Sequence, residues 1–286
     1  MSITRRTFLS TAAAAATAAL FLNSKSHASA LGLPIGLQLY SVRTLLPNDF
    51  DGTLKQVAAL GYQEVEGAGF FNHSADEVNA AMKAAGLRLV STHYPLSTLL
   101  PQIDTVIPFC KSLGLQYIVC SSPMHRQPGG GREPLTLDDW HWNIEQFNQI
   151  GEKIRAAGMH FAYHNHVETF AVTEGKLPYD ELMAHTDPDK VSFEMDCGWV
   201  IAAGHNPIEL LKQYGSRIVM LHVKDFDNNK PPSVELGTGS IDYKPIFAAA
   251  KKYAHIRHCF VEQEEFSHPI MEALKVDATY MQRFRG

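Results

Sequence analysis

The chain has 286 residues, 45% of them hydrophobic and 19% charged, with a formal net charge of −5 at pH 7. That length and composition support one large core and exclude a disordered chain or a mini-domain. The acidic balance and the lack of a long basic run argue against a nucleic-acid partner, which needs a cationic footprint.

Residues 1–30 read as a targeting segment, not as part of the fold. Thr4-Arg5-Arg6-Thr7-Phe8-Leu9 resembles a twin-arginine export signal, an apolar stretch runs from Ala12 to Leu22, and Ala28-Ser29-Ala30 offers a small-residue cleavage site. The apolar stretch falls short of the roughly 20 residues that span a bilayer. A periplasmic protein with no stable membrane anchor after signal cleavage is expected.

From Pro34 onward, apolar runs alternate with helix-period stretches, taken here as a single domain over residues 31–286. A strand at Ile35–Tyr40 precedes a helix at Phe50–Leu60, then Tyr62–Glu66 precedes Ala75–Ala85, and Leu87–His93 precedes Ile103–Leu113. Leu115–Ser121 leads through a loop with Gly129-Gly130-Gly131 to a helix at Leu137–Ala157. The second half repeats the pattern: His160–His164 and Tyr179–His185, Val191–Asp196 and Pro207–Tyr214, Ile218–Val223 and Tyr243–Tyr253, His258–Glu262 and Pro269–Phe284. Gly61, Gly86, Gly114, Gly158 and Gly215 each stand between a helix and the next strand, where a left-handed residue ends a helix at least cost. Strict β–α alternation implies a parallel sheet with its helices outside, and eight units favour a closed (β/α)8 TIM barrel. No GxGxxG or GxxxxGK[ST] turn follows the first strand, which removes the main support for an open nucleotide-binding sheet. Cys110, Cys120, Cys197 and Cys259 form no CxxC pair and read as small buried hydrophobes.

In such a barrel, chemistry sits at the C-terminal ends of the strands. There this chain places Gln38, Glu64 and Glu66, His93, His164 with His166 and Glu168, Glu194 and Asp196, His222 and Lys224, and Glu262 and Glu264. Residues two apart on a strand share a face, so several of these acids and histidines converge. Buried carboxylates of like charge must be protonated, paired or bound to a cation. A divalent metal answers that requirement: Mn2+ first, with Mg2+, Co2+, Fe2+ and Zn2+ all compatible with mixed carboxylate and imidazole ligands.

The run Tyr163-His164-Asn165-His166-Val167-Glu168, with Met195-Asp196, Leu221-His222-Val223-Lys224-Asp225 and Val261-Glu262-Gln263-Glu264, resembles the sugar phosphate isomerase/epimerase family of xylose isomerase-like barrels. The likeness covers roughly residues 34 to 284. It implies four metal ligands from strands five to eight, which carry over to Glu168, Asp196, His222 and Glu262. The strand-five choice of Glu168 follows the likeness of the His-Asn-His-Val-Glu segment to the Asn-Arg-Phe-Glu run of ketose epimerases. Glu262 is preferred over Glu264 because it lies nearer the apolar strand. The family's acid/base pair falls on Glu168 and Glu262. Gln38, Glu66, His93, His164, Trp199 and Lys224 are the expected substrate contacts. Trp199 stands where ketose epimerases carry a histidine. Gly237-Thr238-Gly239 resembles the family's Gly-x-Gly turn near the substrate, in a segment, Asp227 to Gly239, read as a lid.

The implied chemistry is proton abstraction next to a carbonyl through an enediolate, on a small carbohydrate, giving an isomer or epimer. Loss of a β-substituent would instead make the protein a lyase or dehydratase of a keto-sugar, keto-glycoside or keto-inositol. A non-catalytic periplasmic carbohydrate-binding protein and a metal phosphodiesterase are the readings from other classes. A homo-oligomer is compatible with all of them.

Overall fold

In the computed structural model, which describes residues 31–284 apart from 128 and 130–132, eight parallel strands close into a barrel. Residues 1–30, expected from the sequence to be an export signal, and most of the triple-glycine run lie outside the described residues. The barrel strands are β1 (Gly36–Gln38), β2 (Glu64–Gly67), β3 (Arg88–Tyr94), β4 (Tyr117–Cys120), β5 (His160–His164), β6 (Val191–Asp196), β7 (Ile218–Val223) and β10 (His258–Val261). Each pairs in parallel with its neighbours, and β1 closes the ring against both β2 and β10.

The helices form the outer layer: α1 (Phe50–Ala59), α2 (Ala75–Ala85), α3 (Leu96–Ser112), α4 (Leu137–Ala156), α5 (Pro178–His185), α6 (Cys197–Ala202), α7 (Pro207–Tyr214), α8 (Tyr243–Tyr253) and α9 (Ile270–Gln282). Local signals start them. Ser74 with Glu77 and Thr136 with Asp139 form reciprocal capping boxes, which satisfy free N–H groups at the starts of α2 and α4. Pro101 lies inside α3, which begins at Leu96 and not at the expected Ile103. Pro101 and Pro108 each remove one intrahelical donor from α3, which continues through both.

Two further differences bear on the site. The short helix α6 directly follows β6, with Asp196 as its N-cap accepting from the Trp199 N–H at 2.9 Å. The segment after β7 contains a small antiparallel pair, β8 (Asp225–Phe226) with β9 (Ser233–Val234). Its Gly-Thr-Gly turn wraps the Asp225 carboxylate, which accepts from the N–H groups of Gly237, Gly239 and Ile241 at 2.9, 3.2 and 3.1 Å. A Cβ on Gly239 would come within 2.3 Å of Asp225 Oδ1, so the turn needs glycine there. Gly215 departs from the left-handed expectation, with φ −55°. A Cβ there would meet the Tyr253 carbonyl oxygen at 2.2 Å, so close backbone approach explains the glycine.

The main core lies between strands and helices. A second apolar group of Val90, Tyr117, Val119, Ala162, Met220 and Phe260 plugs the barrel's interior. The four cysteines are buried and free, as expected of small core residues. No helix among the described residues is long and apolar enough to cross a membrane.

Candidate metal centre

Above the plug, at the C-terminal ends of the strands, the barrel gathers its ionisable side chains. Register sets this up: Asp196 pairs with His222, His164 with Glu194, and Gln38 with Glu66 across adjacent strands. Glu66, Glu194, Asp196, His222 and Lys224 are wholly buried, and His164 and Glu262 nearly so.

Two four-residue sets have ligand atoms within 4.8 Å of one another: His164, Asp196, His222 and Glu262, and His93, His164, Glu194 and His222. The expected ligands Asp196, His222 and Glu262 therefore do come together. Glu168 lies outside both sets. It is an exposed residue of the 3-10 turn Val167–Phe170, whose Thr169 and Phe170 are buried, after the chain has left β5. Strand five contributes His164, which points inward from the end of β5.

Lys224 organises the outer side. Its Nζ lies 3.3 Å from Asp196 Oδ2 and 3.0 Å from Glu262 Oε2, and it also pairs with Glu264. It rests 4.5 Å from the centroid of the Trp199 ring. Burial alone would lower its pKa, but Asp196, Glu262 and Glu264 raise it, so it stays charged. Lys224 and Trp199 thus build the wall of the site. Gln38 also supports the site, donating to Glu66 Oε1 at 2.8 Å.

The imidazoles divide by their neighbours. Burial favours the neutral ring, yet the Glu66 and Glu194 carboxylates hold His93 up at about 10. His222, beside Glu194, Glu262 and Glu66, is raised in the same way. Burial and the nearby His222 push His164 down to about 4. His166, one of the strand-end residues, is pushed by burial down to about 3. Its Nδ1 is buried without a hydrogen-bond partner.

Tyr40, His93, Tyr94, His164, His166, Glu262 and Glu264 line a mouth cavity of about 400 Å³. Glu264 is the acid here that faces the opening and is not part of either set. Burial pushes its carboxyl up from the usual range, with Lys224 opposing the shift. A larger cavity, about 660 Å³, lies at the opposite end of the barrel among Arg88, Arg217, Arg257 and His258. It has the volume but not the converging acids.

The donor set suits a divalent cation. Asp196 Oδ2 is buried with no hydrogen-bond partner although Lys224 is near, and the set mixes two imidazoles with two carboxylates. Such a mixture fits first-row transition metals, and the unmet oxygen is what a cation would satisfy.

Residues 54–282 match a family model described as xylose isomerase-like TIM barrel. The chain is 24% identical to an inosose dehydratase of Clostridium botulinum over 80% of its length and 87% of the relative's. It is 26% identical to an inosose dehydratase of Geobacillus kaustophilus, over 82% and 86%. Among solved structures, a sugar phosphate isomerase/epimerase from Parabacteroides distasonis superposes with a TM-score of 0.76 at 24% identity, covering 91% of this chain and 96% of that one. The IolI protein with a bound zinc atom superposes with a TM-score of 0.70 at 15% identity, over 88% and 98%.

Proposed function

This chain belongs to the xylose isomerase-like TIM barrel family, and from that premise we propose that it is a metal-dependent lyase that removes water or an alcohol from a keto-inositol or keto-sugar. The observation that carries the reading is the buried set His164, Asp196, His222 and Glu262 with its unmet carboxylate oxygen, in a barrel whose curated relatives include inosose dehydratases. A divalent ion held there would supply Lewis-acid polarisation of the substrate carbonyl.

The chain's own residues would do the rest. Glu264 faces the cavity with a raised carboxyl, a better proton acceptor than the strongly lowered Glu262. It takes the proton next to the carbonyl, and the electron pair moves into a new carbon–carbon double bond. The β-hydroxyl or alkoxide departs and receives that proton from Glu264, so water or alcohol is released. Neutral His166 lines the cavity and would contact a substrate hydroxyl there. Lys224 keeps its charge and offsets negative charge that develops beside it.

Isomerisation or epimerisation shares the first step and is the second reading, supported by the likeness to the Parabacteroides structure. Manganese and periplasmic export remain part of the proposal. The test is incubation of the metal-loaded protein with an inosose, a 3-keto-glycoside and a ketose in deuterated water. Release of water or aglycone with an unsaturated ketone supports elimination. Deuterium exchange into intact substrate, without any such product, replaces it with the epimerase reading. Glu264→Gln should lower turnover roughly 10²–10⁴-fold while keeping bound metal; unchanged turnover removes Glu264 from the chemistry.

A further inference from the structure

We propose that Ser233, held in turn by Glu265, is a positioning residue that fixes where Glu264 stands at the mouth of the barrel. The inference rests on the reading of Glu264 as the group that moves the proton. It assigns the seat of that group to the segment after β7.

Glu264 has no strand to hold it. β10 ends at Val261. The Glu262 N–H still donates to the Val223 carbonyl at 3.1 Å, but the Gln263 N–H already turns to the Ser41 hydroxyl at 3.1 Å. The main chain of Glu264 must find its partners in other loops. Its N–H donates to Ser233 Oγ at 2.8 Å, and its carbonyl accepts from Arg43 Nη2 at 2.9 Å. Ser233 belongs to β9 and Arg43 to the turn after β1, so residues distant in the chain fix both groups.

The chemistry of a hydroxyl suits this task. It has one hydrogen to donate and two lone pairs to accept with. Ser233 uses all three: Oγ accepts from the N–H groups of Glu264 and Glu265 at 2.8 and 3.1 Å and donates to Glu265 Oε2 at 2.6 Å. The Ser233 N–H donates to the same carboxylate oxygen at 2.9 Å. The Glu265 carboxylate therefore sets the hydroxyl rotor and turns its lone pairs toward the two N–H groups. Ser233 is buried, so an alanine there would leave the Glu264 N–H without its acceptor.

One segment thus grips Glu264 at both ends. Lys224, directly after β7, pairs with its side chain, and Ser233 holds its main chain. Ser233 stands opposite Phe226 in the β8–β9 pair, so the two grips are tied to each other. The segment is itself anchored, through the Leu236 N–H on Asp277 and the Gly237 N–H on Asp225. Neither Ser233 nor Glu265 lines the mouth cavity or belongs to the converging donor sets. Their effect on the reaction therefore passes through Glu264. A shift of about 1 Å in a reacting group costs on the order of 100-fold in rate, so the seat matters to turnover.

The test compares Ser233→Ala and Ser233→Thr with the wild type, as Mn2+-loaded full chains, by crystal structure and by steady-state kinetics on an inosose and a 3-keto-glycoside. In Ser233→Ala, Glu264 should withdraw from Lys224 while His164, Asp196, His222 and Glu262 stay in place and metal content is unchanged. Its kcat should fall about 10–100-fold with KM within about twofold, and Ser233→Thr, which keeps the hydroxyl, should restore both seat and kcat. Glu265→Ala, at an exposed position, replaces Ser233→Ala should that variant fail to fold, with the same displacement expected. Glu264 still seated in the alanine variant overturns the proposal, as does undiminished kcat where Glu264→Gln is impaired. If Glu264→Gln turns over like the wild type, or neither ketone reacts, the reading of Glu264 as the proton carrier falls on its own. The crystal structures then decide the seat: a displaced Glu264 supports it and an unmoved one overturns it.

Discussion

The two ends of the barrel treat buried acids differently, and one strand shows both treatments. Glu64 and Glu66 stand two residues apart on β2, face the same interior and are almost wholly buried. Below the apolar plug, Glu64 is neutralised by the Arg88 guanidinium and hydrogen-bonded to His258 Nδ1 at 2.8 Å, a ring that burial keeps neutral, although Glu64 Oε1 also lacks a hydrogen bond. Above it, Glu66 shares imidazoles with Glu194 and keeps an unpartnered oxygen. The lower end holds the larger cavity, about 660 Å³ against about 400 Å³. Unmet charge therefore locates the chemistry better than empty volume does.

The sharpest way to break that comparison is to neutralise an acid of the upper cluster. Asp196→Asn keeps the N-cap shape of α6 but removes the charge a cation needs. Turnover should fall at least about 10³-fold, with bound metal reduced and the far-ultraviolet spectrum unchanged. Retained turnover with retained metal would strike Asp196 from the site.

A third kind of buried acid supplies the next effect. Asp277 on α9 is fully buried, accepts from the Leu236 N–H at 2.7 Å, and leaves Oδ2 without a partner. No cation offsets it, so burial pushes it up to about 7, whereas imidazoles and Lys224 pull Glu194 and Glu262 down. A carboxyl with a folded pKa above its unfolded value near 4 binds more protons when folded. Its ionisation therefore costs the fold nothing below about pH 4, and the cost grows until the pH passes 7. The full cost is on the order of 4 kcal/mol. Asp277→Asn should raise the melting temperature at pH 8 and leave it nearly unchanged at pH 4; an equal shift at both values refutes the assignment.

Paired variants on β2 sharpen the contrast directly. Glu66→Gln should weaken metal binding roughly 10–100-fold with little loss of stability. Glu64→Gln should leave metal binding and turnover within about twofold and lower stability by about 1–3 kcal/mol, since His258 and Arg88 lose their anion. Calorimetric titration and urea unfolding read the two effects separately. The reverse pattern would place the functional acids at the wrong end.

Much of this arrangement was legible in the sequence, for identifiable reasons. β–α alternation gave the barrel, because each element's apolar period is local. The strand-end positions of Asp196, His222 and Glu262 brought three of the four expected ligands together, because period-two geometry fixes the inward face. Glu168 followed from motif likeness; it sits on the turn after β5 and is outside the two sets of converging donors. That Glu66 and Glu194 share the imidazoles of His93 and His222 was not legible, since both acids lie at register shifts that alternation cannot reveal. His166 and Glu264 gained roles only once their neighbours were placed: one neutral ring at a cavity wall, and one carboxyl with its lysine.

The smallest expected effect tests the rule itself. Arg257 lines the larger, lower cavity, and its guanidinium has no hydrogen bond or ion pair among the described residues. Removing it takes away neither a partner nor a buried contact, so Arg257→Ala should change stability by less than about 0.5 kcal/mol. Turnover should stay within about twofold, since the apolar plug of Val90, Val119, Ala162, Met220 and Phe260 separates this end from the acids above. A large loss of turnover, with the fold intact and metal still bound, would mean that substrate engages the lower cavity. Steady-state kinetics of this variant beside Asp196→Asn thus ask whether volume or unmet charge marks the working end of the barrel.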